Sequence, residues 1–136
     1  MYILYPEVAG QLGTKTTLDR NVHPPIVSKL HYQFDGWLGD YLLECFPCFI
    51  CTEKLMEYLK SSDLTGFADC EISKSEQFTD LYPDRILPVF YWLVVNGDAN
   101  NDFSLSPNAS LLVSENALNS LKKFQTTNCE IENYFN

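Results

Sequence analysis

Leu30, Tyr32 and Phe34 alternate with His31, Gln33 and Asp35, a period of two that predicts a half-buried strand running out into a polar loop. Just beyond, Trp37, Leu38, Tyr41, Leu42, Cys45 and Phe46 recur at helical spacing. With Asp35 as N-cap and Pro47 as stop, that spacing predicts a helix. Residues 49–51 predict a short strand. Residues 87–95 are apolar throughout, as expected of a central strand covered on both faces. Asn96-Gly97 then predicts a turn, with residues 103–105 returning as the hairpin partner of that strand. Residues 8–25, rich in Gly, Thr and Pro, predict loop, and residues 75–85 a helical turn and loop stopped near Pro83.

Two segments share one pattern. Residues 49–60 pass from Phe-Ile-Cys through Thr52-Glu53 into Leu55, Met56 and Leu59, and end at Lys60. Residues 111–122 pass from Leu-Leu-Val through Ser114-Glu115 into Ala117, Leu118 and Leu121, with Phe124 beyond, and end at Lys122. Cys70-Glu71-Ile72 follows the first and Cys129-Glu130-Ile131 the second. Thr52 and Ser114 suit the N-cap, where a side-chain oxygen accepts from a free backbone N–H, and the Glu that follows complements the positive end of the helix. The apolar residues of each segment fall on one helical face. Each segment therefore predicts a strand–helix–strand unit, with Cys and Ile of the Cys-Glu-Ile triplet on one side of a strand. In this alignment the first connector is three residues longer.

Together these elements predict an α+β fold in a single domain, 1–136, built on a mixed sheet with two or three helices packed mainly on one face and two similar strand–helix–strand units. The 46% apolar content supports a core, and no apolar run approaches the roughly 18–20 residues of a membrane-spanning helix. Nine Lys and Arg against eighteen Asp and Glu give a net charge of −9. That surplus disfavours nucleic acid and favours encounter with a basic protein. No secretion signal is apparent at the start of the chain, and five cysteines do not pair evenly. A reducing cytoplasm is the expected location.

Cys45, Cys48 and Cys51 recur every third residue, a spacing that raises a metal cluster as one reading. The ladder lacks the fourth Cys and its following Pro, and the corresponding positions of the second unit are Pro107, Ser110 and Val113. Small buried thiols are the preferred reading, and a cysteine-ligated metal or redox protein is the alternative. Residues 98–102 place oxygen side chains as a calcium loop does, but Phe103 replaces the required Gly and Ala109 the required Glu. His23 and His31 belong to no metal or triad motif. No catalytic residue, cofactor or metal is therefore expected. Aromatic residues mixed with acids, as at 34–41, suit protein binding instead. Asp35, Asp40, Tyr41, Asp98 and Asp102 are the candidate partner-binding residues, while the helical stripe places Trp37 in the core.

Three stretches carry a family likeness: FDGWLGDYLLECFPCFICTEKL at 34–55, LPVFYWLVVNGDANNDF at 87–103 and LLVSENALNSLKKF at 111–124. They resemble the cytoplasmic immunity proteins of bacterial polymorphic toxin systems, in particular immunity protein family forty-three. The resemblance implies a non-enzymatic inhibitor that binds a cognate secreted toxin domain and protects self and sibling cells. It transfers no catalytic residues.

Overall fold

The computed structural model describes residues 1–61, 66–95 and 101–135. Among them are thirteen short strands and three helices, an α+β fold whose ladders divide into four sheets rather than one. The organising element is the sheet β6(Leu42–Cys45)–β7(Cys48–Thr52)–β10(Phe90–Val94)–β8(Gly66–Asp69), with every neighbouring pair antiparallel.

Both faces of the central strands of that sheet, β7 and β10, are covered, which explains their largely apolar sequences. Leu42, Phe49, Cys51 and Leu93 point into a first core, shared with Leu55, Met56 and Leu59 of α1(Glu53–Ser61) and Ala117, Leu118 and Leu121 of α3(Glu115–Leu121). The far side of this core is the sheet β11(Phe103–Leu105)–β12(Leu111–Val113)–β1(Tyr2–Tyr5)–β13(Glu130–Asn133), through Leu4, Phe103, Leu111 and Val113. The alternate residues Leu43, Cys45, Cys48, Ile50, Phe90 and Trp92 point into a second core. That core is closed by Tyr32 and Phe34 of β5(His31–Phe34) and Phe78 of α2(Glu76–Leu81). β5 lies between β2(Gly10–Leu12), antiparallel, and β9(Glu71–Lys74), parallel, so this sheet is mixed. β3(Thr17–Asp19) and β4(Ile26–Lys29) form a separate ribbon. Each fully buried Leu, Ile or Phe contributes on the order of 1.5–3 kcal/mol.

The two strand–helix–strand units are present and share more than the sequence suggests. In each, a hairpin leads through a helix to a third strand parallel to its second, and an antiparallel strand from elsewhere in the chain fills the gap between. β10 fills the first gap and β1 the second. Their registers correspond: Leu42, Cys51, Tyr91 and Asp69 lie across the first sheet as Phe103, Val113, Tyr2 and Asn133 lie across the second. The helix caps correspond too. Leu55 N–H donates to Thr52 Oγ1 at 3.3 Å, and Ala117 N–H donates to Ser114 Oγ at 3.1 Å.

Several expectations need correction. The third strand of the first unit is β8, which precedes Cys70, so the two Cys-Glu-Ile triplets are not structural counterparts. The comparison of connector lengths falls with that pairing, and residues 62–65 lie outside the described residues. Residues 37–46 form a loop and the strand β6 instead of a helix. Leu42 and Leu43 are buried on opposite faces of a covered strand, and such a run mimics helical spacing. Gly39, at φ +104°, is in a conformation that helices do not use. β11 pairs with β12 instead of β10, and Asn96-Gly97 lies outside the described residues. The expected loop at 8–25 contains β2 and β3.

Candidate protein-binding surface

Residues 35–41 cross the end of the second core as an irregular segment held at both sides. On one side the Glu7 carboxylate, itself buried, accepts Leu38 N–H at 2.7 Å and Asp40 N–H at 3.3 Å. Burial raises its pKa above the ordinary carboxylate value, opposed by those two N–H groups. On the other side Asp40, fully buried, accepts Asn128 N–H at 2.8 Å, Asn128 Nδ2–H at 3.0 Å and Thr127 Oγ1–H at 3.3 Å. Tyr41 N–H donates to the Gln125 carbonyl at 2.9 Å. A Cβ on Gly39 would meet Gln125 Nε2 at 2.8 Å, so a side chain there would disturb this tether.

The segment presents Trp37. Its indole packs edge-on against Phe90, ring centroids 5.8 Å apart, and its Nε1–H donates to the Asp40 carbonyl at 2.9 Å. The Arg85 guanidinium lies 4.9 Å from the Trp37 ring centroid and 5.9 Å from that of Tyr82. Two shallow grooves, of about 420 and 460 Å³, flank the indole. One is lined by Tyr41, Ile86 and Val89 among others, the second by Val8, Leu38, Leu81 and Tyr82. Ile86 is 86% exposed, Val8 and Leu38 66%, Leu81 61%. The grooves share Trp37, so these side chains form one contiguous apolar surface, with Asp35, Glu53 and Lys54 in its walls. An apolar centre with Trp, Tyr and Arg inside a charged rim is the composition of a protein-recognition surface.

The sequence-derived candidates separate here. Asp35 and Tyr41 lie on opposite sides of Trp37, each in a groove wall. Asp40 is a correction: its carboxylate ties two loops together inside the protein and is closed to a partner. Asp102, just before β11, lies beside the N-cap of α3, where its carboxylate accepts the Ser114 hydroxyl and its carbonyl accepts Ser114 N–H at 2.9 Å. Asp98 lies outside the described residues. Trp37, expected in the core, is half-buried and central to the surface. Val8, Leu81, Tyr82, Ile86 and Val89 were missed. Pro88 carries the signal that could have found two of them: it offers no N–H to a ladder, so residues 86–89 precede the central strand and leave Ile86 and Val89 outside it.

The cysteine ladder is divided by its own strand. Cys45 and Cys48 face the second core and Cys51 the first, so the three thiols do not converge. Among the described residues no group of three His, Cys, Asp or Glu side chains is placed to hold a metal ion. His31 is buried, its Nδ1 accepting Lys15 N–H at 3.2 Å and its Nε2 lying 2.7 Å from Ser73 Oγ. None of the described helices is long and apolar enough to cross a membrane. Comparison with protein-family models, with curated proteins and with solved structures gives no match to this chain.

Proposed function

We propose that this chain is a non-enzymatic immunity protein that neutralises a toxin domain by stoichiometric binding, and that the Trp37 surface is where it binds. The observation that carries the reading is the concentration of exposed Val8, Leu38, Leu81 and Ile86 around a tethered Trp37. Apolar side chains held open to solvent on a preorganised frame favour association, because little ordering entropy is lost on contact. The net charge of −9 favours a basic toxin domain, with faster encounter at low salt. Cytoplasmic residence is part of the proposal, since that is where a sibling's toxin must be met.

The test begins with native mass spectrometry of the tagged chain isolated gently from its host, followed by co-expression with the recovered toxin domain. The wild type restores growth that the toxin alone arrests. Leu38→Asp and Ile86→Asp replace exposed side chains, so each leaves folding stability within about 0.5 kcal/mol. Each weakens the complex by about 2 kcal/mol, roughly thirty-fold in Kd. Full protection and unchanged affinity in both variants would remove this surface from the proposal. Failure of the wild type to protect would remove the immunity reading itself.

A further inference from the structure

Cys45 and Cys48 are register partners at the closed end of the β6–β7 hairpin. Glu44 N–H points away from β7, to the Glu7 carbonyl at 2.9 Å. By alternation, Cys45 and Cys48 form one of the hydrogen-bonded pairs of the ladder, whose Cα atoms lie about 5.5 Å apart. That separation is within the usual Cα span of a disulfide, about 4.4–6.8 Å, while the Cβ atoms of such a pair, about 5.5 Å apart, must close by about 1 Å for the bond to form. Both side chains lie on the same face, in the second core, and both are free thiols. Cys48, only 4% exposed, also lines a surface cavity of about 390 Å³ between Pro47, Ile26 and Trp92, the side from which a reagent would approach it. Cys51 is on the opposite face and cannot join them.

We propose that Cys45 and Cys48 form a reversible thiol–disulfide site, oxidised by low-molecular-weight disulfides of the glutathione class. The Cys48 thiolate attacks one sulfur of glutathione disulfide, forming a mixed disulfide and releasing one glutathione. The Cys45 sulfur, on losing its proton, attacks Cys48 Sγ, closes the intramolecular bond and expels the second glutathione. The two thiol protons leave with the two glutathione molecules, so the chain is oxidised by two electrons and glutathione disulfide is reduced. The bond encloses only Phe46 and Pro47, so it constrains the unfolded chain little. The pair acts as a redox-responsive group and not as a staple.

The surroundings set the speed. Burial pushes both thiols up to about 12, with Glu44 adding to the effect at Cys45 and with Cys45 and Cys70 adding at Cys48. The thiolate is the attacking species, so the exchange is slow at neutral pH and quickens about tenfold per pH unit toward 10.

The experiment incubates the reduced full chain in glutathione mixtures of increasing disulfide content, quenches with an alkylating agent, and reads intact mass and peptide maps. The wild type loses about 2 Da, the two thiol hydrogens, and the bond maps to Cys45–Cys48. C45S, which lacks the resolving thiol, instead retains glutathione on Cys48, while C51S behaves as wild type. Recovery of both thiols alkylated at every mixture, on denaturation after the incubation, would overturn the proposal. So would a bond mapped between Cys48 and Cys70, whose Sγ lies 3.6 Å from the Phe90 carbonyl in the same core.

Discussion

The two split strand–helix–strand units share a hydrogen-bond frame and differ in what lies behind it. In the first unit the face turned away from the helices carries Leu43, Ile50, Phe90 and Trp92, and the β2–β5–β9 sheet with α2 covers it. In the second unit the corresponding register positions carry Ser104, Leu112, Met1 and Ile3. Met1 is exposed and Ile3 half-buried, Ser104 and Leu112 are buried, and none of the four joins the second core. One backbone arrangement therefore supports a doubly covered central sheet and a sheet with one core face. The difference comes from side-chain volume on alternate positions, because backbone pairing is indifferent to which face a residue presents. The candidate surface follows the same asymmetry: residues 86–89 enter the filling strand of the first unit and leave Ile86 and Val89 beside Trp37.

The sharpest way to probe this comparison is through the filling strands. Leu93 and Leu4 occupy corresponding positions and are each 1% exposed. Leu93→Ala and Leu4→Ala should each cost about 2–5 kcal/mol in denaturant unfolding. Phe90→Ala should cost about 3–5 kcal/mol, whereas Met1→Ala, at the matching position, should fall within about 0.5 kcal/mol. Equal costs for Phe90 and Met1 would mean that the second core adds nothing to the first unit.

Asp40→Ala comes next in size, because it leaves Asn128 N–H and two further donors without their acceptor. We expect about 1–3 kcal/mol of lost stability. Asn101, its exposed counterpart in the second unit, should tolerate Ala within about 0.5 kcal/mol. The smallest effect is at Ser104, where the hydroxyl is buried without a hydrogen-bond partner among the described residues, at the position Leu43 fills in the first unit. Ser104→Ala should be neutral or raise stability by up to about 1 kcal/mol. A clear loss there would mean that the hydroxyl is satisfied.

Much of the frame was legible in the chain because the signals are local. Thr52 and Ser114 each precede a helix, and Leu55, Met56 and Leu59 form a stripe that needs no distant partner to be recognised. Residues 37–46 misled because a strand buried on both faces shows no alternation. Strand pairing was equally out of reach: nothing near residues 103–105 distinguishes β12 from β10 as a neighbour. The site was legible only in part. Asp35 and Tyr41 proved accessible, but Asp40 looks the same in sequence as a surface acid. Its burial depends on Thr127 and Asn128, far along the chain.

Readable in the chain alone were the α+β class, two capped helices, the acidic balance and the likeness of two segments. Capping, periodicity and charge act within a few residues or sum over the whole chain. Alternation along residues 49–51 already sets Cys48 and Cys51 on opposite faces, but only the folded chain shows that β1 and β10 fill equivalent gaps and that a core covers each of those faces. It alone made Asp40 an internal tether and opened Trp37 to the surface. Each of these depends on which distant residue closes a hydrogen bond or covers a face, and that choice is made by the competition of the whole chain for burial.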